Sequence, residues 1–308
     1  SKEQSFFSSL EIDLKGVMSS LNLTSSELDM AFPISSEMRT FDEIFIEGSS
    51  LKLLGEGGMK KIHTYRDQKM NRDMAMATLK KSCLKTTLHR ENRKNDNSAN
   101  AEVVERFFRE ARLTASLQHP NIISVYDIGY WQDEPFFTME VLRGETFRAF
   151  VDKRCKLLDE SYLNIILDVI EKVCDAISYS HSRQVIHLDL KPENIHLGEH
   201  GEVVVCDWGI AKIICHDEEV IDRDLDPDIL NHGTLHGQLK GTPGFMSPEQ
   251  VDEEGLVGVE SDVYSIGAML YFALKGHAPI EATELAQILR KTEQGDITPL
   301  TDGQSLPN

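Results

Sequence analysis

A chain of 308 residues, 40% of them hydrophobic, is long enough to bury the core of one large or two-lobed domain. Its formal net charge of −19 argues against a surface built for nucleic acid or an anionic membrane, and no apolar run approaches the ~20 residues of a membrane span. The five cysteines, Cys83, Cys155, Cys174, Cys206 and Cys215, show no paired or metal-type spacing, which fits free thiols in a reducing, cytoplasmic setting.

The chain opens on Ser1 without a secretory-leader pattern, so an upstream start is expected to lie outside it. Residues 1–43 are rich in Ser and Glu, and Leu10, Leu14, Val17 and Leu21 recur at helical steps. They read either as an extension with one or two short helices, regulating or packed on the domain, or as a partly disordered lead-in. From Ile44 the pattern turns strand-like and leads into Gly55-Glu56-Gly57-Gly58-Met59-Lys60-Lys61-Ile62. Such a turn lets backbone N–H groups approach a phosphate, although a plain tight hairpin accounts for the same glycines. A strand follows over residues 74–81, then a polar stretch over 82–100 that reads as a loop. Val104, Phe107, Phe108, Ala111 and Ala115 predict a helix, followed by strands over 122–130 and 135–141 and an amphipathic helix over 160–182.

Next comes VIHLDLKPEN, Val185 to Asn194, around which the other motifs are arranged. Phosphoryl transfer needs a carboxylate for the attacking hydroxyl, a cation near the migrating phosphate and an oxygen ligand for Mg²⁺. Asp189, Lys191 and Asn194 supply those three group types within six residues. Beyond them lie Cys206-Asp207-Trp208-Gly209, an acidic stretch from Asp217 to Asp228, Ser247-Pro248-Glu249 and the helical run Glu260 to Gly267. One further helix is predicted over 282–292.

In this order the motifs resemble those of protein kinases, most closely the bacterial eukaryotic-like (Hanks-type) Ser/Thr kinases, over roughly residues 50–292. VIHLDLKPEN is similar to H-R-D-L-K-x-x-N with Leu188 in place of Arg. The glycine turn is similar to G-x-G-x-x-G-x-V with Lys60 at the third glycine, and CDWG to D-F-G with Trp208 for Phe. The resemblance implies an α+β, two-lobed fold: a small antiparallel sheet with one helix, then a mostly helical C-lobe that reads as incomplete at its end. The divisions would be an extension over 1–43, the N-lobe and hinge over 44–142 and the C-lobe over 143–308. It implies ATP and Mg²⁺ as cofactors and protein hydroxyls, of Ser or Thr rather than Tyr, as acceptors.

Carried over position by position, Asp189 would orient the hydroxyl proton and Lys191 would steady the phosphate, with Asn194 and Asp207 binding Mg²⁺. Glu110 would pair with the nucleotide-binding lysine. Gly55, Gly57, Gly58, Ile62, Ala75, the gatekeeper Met139, Glu140 and Leu142 would surround ATP. His196 would lie beneath the adenine, where an imidazole either stacks or is a plain core histidine. Thr242 would touch Asp189 and Lys191, and Asp262 would anchor the catalytic-loop backbone. With Leu188 replacing Arg, activation through a phosphate on Thr234 is expected to be weak or absent. The acidic stretch is expected to be solvated, and either to attract basic substrates or to hold the site shut.

The nucleotide-binding lysine itself is displaced. Alignment puts Ala77 where the family has it, and Lys80, three residues on, points to the opposite strand face. Lys60 shares a face with Ile62, whose counterpart in the family covers the adenine, so the resemblance implies that Lys60 points into the cleft, an arrangement similar to that of the with-no-lysine kinases. The alternative is a solvated Lys60 in a pseudokinase or inactivated kinase, acting as a nucleotide- or partner-binding scaffold.

Overall fold

The computed structural model describes residues 51–68, 70–83, 93–131, 134–155, 159–214, 241–252 and 255–300. The extension over 1–43, the strand expected at 44–46, the acidic stretch and Thr234 lie outside the described residues.

Strands β1 (Lys52–Glu56), β2 (Lys60–Asp67), β3 (Arg72–Leu79), β4 (Val125–Trp131) and β5 (Glu134–Met139) form one antiparallel sheet in the order β1-β2-β3-β5-β4. Alternation along β3 divides its side chains between two apolar layers. Ala77 and Leu79 face helix α1 (Arg93–Ser116) and bury against its Phe107, Phe108 and Ala111, together with Phe137 of β5. Phe107 and Phe137 meet with ring centroids 5.0 Å apart. Met74 and Met76 take the other face with Tyr65 and Phe136. Each fully buried aromatic or large aliphatic side chain contributes roughly 1.5–3 kcal/mol, so the sheet is held from both sides.

Helix α1 begins at Arg93, within the stretch expected to be loop through residue 100. Its first turns carry no apolar period in the sequence, so periodicity had nothing to report there. The strand expected over 122–130 begins at Val125. Ile122 instead forms an isolated parallel bridge to Val205, which ties the sheet to the helical part. The strand expected to run to 141 stops at Met139.

The remaining chain is mostly helical. Helix α2 (Phe147–Arg154) is capped by Thr146, whose hydroxyl accepts the Ala149 N–H at 3.2 Å. Helix α3 (Glu160–Ser182) is capped by Asp159, which accepts the Tyr162 N–H at 2.8 Å. Two-residue strands β6 (Glu145–Thr146) and β7 (Val185–Ile186), with β8 (Ile195–Leu197), β9 (Val203–Val205) and β10 (Lys212–Ile213), pair as β6-β8-β9 and β10-β7. Helix α4 (Pro248–Val251) is short, α5 (Val259–Lys275) ends on a left-handed Gly276, and α6 (Leu285–Gln294) starts three residues after the expected helix. Phe147, Ile166, Val173, Trp208 and Phe272 are fully buried members of one core. The Tyr162 hydroxyl donates to the Ala273 carbonyl at 2.6 Å, joining α3 to α5.

One buried carboxylate sets the shape of the segment after β7. Asp262, on α5 and 0% exposed, accepts the backbone N–H groups of His187 and Leu188, each at 2.8 Å, and lies 2.8 Å from His181 Nε2. Leu188 is left-handed at φ 65°, which costs a branched side chain about 1–2 kcal/mol. Its carbonyl accepts from Gln250 Nε2 at 2.7 Å, so both sides of the unfavourable residue are pinned. Removing the acceptor strands two buried donors. Asp262→Ala is therefore expected to lower the unfolding free energy by about 2–4 kcal/mol, and Asp262→Asn, which keeps one oxygen, by less. Urea denaturation followed by circular dichroism checks both.

Candidate active site

Two clusters of charge meet where the sheet faces the helical part. The first is built by strand register. In the β2–β3 pair Ile62 lies opposite Ala77 and Lys60 opposite Leu79, which places Lys60 on the face of the sheet that Ala77 occupies. Its long side chain reaches along that face toward α1. Lys60 Nζ forms an ion pair with Glu110 of α1 and donates to Asp207 Oδ1 at 3.0 Å. Lys80 is directed elsewhere, to Glu56 at 2.7 Å, as expected for the opposite face.

Burial opposes the charge on Lys60, but the carboxylates of Glu110 and Asp207 outweigh it and hold the ammonium above the ordinary lysine range. Burial also pushes Glu110 up, with the Asp207 charge adding to it against the pull of Lys60. Asp207 shows the reverse balance. Burial works to raise it, yet Lys60 at hydrogen-bond distance, with the Lys191 charge adding to it, brings it below the usual carboxylate value. The lysine is charged at neutral pH.

The second cluster lies in the loop after β7. Lys191 Nζ donates to Asp189 Oδ2 and to Thr242 Oγ1, both at 2.7 Å, and the Thr242 hydroxyl donates to Asp189 Oδ1 at 2.7 Å. Asn194 directs its amide nitrogen to the Asp189 carbonyl at 2.8 Å and to Asp189 Oδ2 at 3.2 Å. Its own carbonyl accepts the Cys206 N–H at 2.8 Å, which sets Asn194 beside the residue preceding Asp207. His187 connects the clusters: Nδ1 accepts the Asp189 N–H at 3.2 Å while Nε2 faces the Cys206 carbonyl at 3.1 Å. A neutral imidazole protonated at Nε2 satisfies both contacts. Its ring packs on Trp208, with centroids 4.5 Å apart, and Trp208 is 1% exposed and fills its slot completely. Burial, aided by the charges of Asp207 and Glu140, pushes the Cys206 thiol up to about 12, so it stays protonated and inert.

The other positions proposed from the sequence take their places around these clusters. Gly55 pairs with Ile62 across β1 and β2, and Gly57 and Gly58 form the intervening turn. Ala75 lies opposite Met139, so Ile62, Ala77, Ala75 and Met139 run along one sheet face. Glu140 leaves the sheet with its N–H bonded to the Ser124 carbonyl at 3.0 Å, and Leu142 follows in the extended connection to β6. His196 is the middle residue of β8, between Thr146 and Val204, with Nε2 buried. Gln250 and His181, which touch the loop through Leu188 and Asp262, carry no local sequence signal that singles them out.

The donor set suits a nucleotide with Mg²⁺. Among the described residues no three His, Cys, Asp or Glu side chains form a self-sufficient metal cage. Asp207 and the Asn194 side-chain oxygen are hard oxygen donors of the kind Mg²⁺ accepts one or two at a time alongside phosphates and water. Two carboxylates face one ammonium at Lys60, and the excess negative charge is what a divalent cation would neutralise.

A small antiparallel sheet with one helix, set on a helical body with its charged side chains gathered between them, defines the architecture of a phosphotransferase cleft. Residues 49–303 match the protein kinase domain family, and the chain belongs to it, in its bacterial Hanks-type Ser/Thr branch. Similar curated proteins include the serine/threonine-protein kinase PknD of Chlamydia pneumoniae, 28% identical over 267 residues that cover 84% of this chain and 26% of the relative. PknD of Chlamydia felis is 31% identical over 232 residues, covering 72% and 23%, and that of Chlamydia trachomatis serovar D is 31% identical over 240 residues, covering 72% and 24%. The chain spans about a quarter of the length of these relatives.

The charge cluster sets a pH dependence with a definite sign. Because the folded Lys60 is raised, its stabilising contribution is complete below the unfolded value of 10.5 and is lost as pH rises through the elevated folded value. Because Lys60 pulls Glu110 down against burial, Lys60→Met is expected to move the Glu110 titration still higher. Carboxyl-selective carbon-13 NMR titration of the two proteins measures that displacement.

Proposed function

We propose that this chain transfers the γ-phosphate of ATP to Ser or Thr hydroxyls of proteins, with Lys60 performing the task that Ala77 leaves undone. The observation that carries the reading is the position of the Lys60 ammonium between Glu110 and Asp207. A cation there is aimed at the place where a carboxylate-bound Mg²⁺ and the nucleotide phosphates belong. ATP supplies the transferred group, and Mg²⁺ supplies charge neutralisation. Gly55, Gly57, Gly58, Ile62, Ala75, Met139, Glu140, Leu142 and His196 form the nucleotide surroundings, and Asn194 and Asp207 hold the metal.

Asp189 is the acceptor and orienting group for the substrate hydroxyl. Its carboxylate already receives two charged or hydroxylic donors, Lys191 and Thr242, so it is fixed in place before a substrate arrives. A substrate hydroxyl displaces or shares one of these contacts, and Lys191 remains to balance charge developing on the phosphate. The strongly negative chain and the acidic stretch from Asp217 to Asp228 favour basic protein substrates in a cytoplasmic setting. The functional divisions follow the motifs, with an N-lobe and hinge over 44–142 and a C-lobe from 143. A second reading, a nucleotide-binding scaffold without transfer, is favoured by the wholly buried, uncharged Ala77.

Mg²⁺-dependent transfer of labelled γ-phosphate to a basic Ser/Thr protein separates the two. The parent is expected to transfer phosphate, and Lys60→Met to fall by about 10²–10³-fold, the usual loss for one preorganised electrostatic contact. Asp189→Asn is expected to fall by a comparable or greater factor. Nucleotide binding without transfer by the parent would replace the kinase reading with the scaffold reading.

A further inference from the structure

The turn between β1 and β2 immediately precedes Lys60. Open space surrounds the would-be side-chain positions of Gly55 and Gly58, so packing does not hold it. What holds it is a set of polar contacts from the end of β3. The Lys80 N–H donates to the Met59 carbonyl at 2.8 Å, and the Lys80 ammonium pairs with Glu56 at 2.7 Å. Within the turn the Gly57 N–H bonds the Lys60 carbonyl at 2.9 Å. Cys83 Sγ lies 3.9 Å from both the Gly58 and the Met59 carbonyls. Lys80 thus grips the turn on both sides, at Glu56 before the glycines and at Met59 after them. Its side chain is only 16% exposed, whereas Glu56 is 46% exposed. The Lys80 hydrogen bond is the main cause holding the Glu56 carboxyl below its ordinary range.

We infer that Lys80 and Glu56 form a clamp that positions Lys60 for nucleotide, an inference that rests on the nucleotide-holding role proposed for Lys60. A lysine in the middle of a strand is aimed by the ladder on both sides. Lys60 is the first residue of β2, and its aim depends on where the turn sets it down. An ion pair at this partly exposed site is weak by itself. Its effect is to reduce the number of conformations open to a glycine-rich turn, and so to preorganise the ammonium that follows. Lys80 is a positioning residue here, since its ammonium is engaged by Glu56 and acts on the nucleotide only through Lys60.

The test uses the full chain and two readouts besides turnover: fluorescence titration with MgATP and amide hydrogen exchange over residues 55–60 without nucleotide. Glu56→Gln and Lys80→Met are each expected to weaken MgATP binding by about two- to fivefold and to speed exchange in the turn, with the double variant no worse than either single one. The charge swap Glu56→Lys with Lys80→Glu is expected to restore most of the affinity. In a Lys60→Gly, Ala77→Lys background, where the cation stands on β3, Glu56→Gln is expected to leave affinity unchanged. Equal weakening in that background would overturn the inference, because the clamp would then serve the turn and not the lysine. Should that background not fold, failure of the charge swap to restore affinity overturns it instead. Unchanged affinity and exchange in both single variants, with binding lost in Lys60→Met, would remove the clamp and leave the role of Lys60 standing. Unchanged affinity in Lys60→Met would remove both.

Discussion

The ammonium of Lys60 connects three parts of the chain: β2, α1 and the segment that follows β9. Its partners are 50 and 147 residues away along the sequence, one on α1 and one just after β9. If the cation were removed, the largely buried Glu110 carboxylate would face that of the half-exposed Asp207 with no ammonium between them, which favours the protonated form of Glu110. The position of α1 against the sheet, the conformation of the Asp207 segment and the register of β2 against β3 are therefore read out at one nitrogen atom. Long-range polar contacts of this kind add little net stability. Their effect is to select one arrangement of otherwise sliding elements.

On the far side of the cleft the opposite strategy operates. The loop after β7 is fixed from beneath by hydrogen bonds, most of them from or to its own backbone, that converge on Asp262, His187 and Asn194. Leu188 is buried, with its left-handed backbone pinned by Asp262 and Gln250. The order of this loop comes from within the described fold. One wall of the cleft is thus held by buried hydrogen bonds and the other by a partly exposed ion-pair network, and the latter is the more sensitive to salt and to ligand charge.

The sequence made much of this legible, for identifiable reasons. Asp189, Lys191, Asn194 and Asp207 lie in short contiguous motifs, where chemistry dictates spacing and tertiary structure adds little. The Lys60 geometry followed from the period of two in a strand: the same rule that brought Lys60 to the Ala77 face sent Lys80 away from it. The early start of α1 was not legible, because a helix that needs no apolar stripe leaves no periodic trace. Gln250, His181 and the Lys80–Glu56 pair were hidden for a different reason. Each acts through a partner remote in the chain, and a polar residue in isolation reads as solvated surface. The same logic makes Ala77 visible from sequence only as a missing charge, although in the fold it is a core residue packed with Leu79 and Phe137.

The register of β2 has a consequence for how this chain can vary over evolutionary time. Surface turns are ordinarily where insertions and deletions accumulate. Here the two-residue step from Lys60 to Ile62, where the turn becomes strand, fixes the face on which the lysine stands. Adding or removing one residue between Lys60 and Ile62 while the rest of β2 keeps its pairing would carry the lysine from the inner face to the outer one. Adding two there would restore the face but shift the lysine by one repeat along it. At the start of β2, then, the spacing of two neighbouring residues is constrained where a surface turn alone would leave it open.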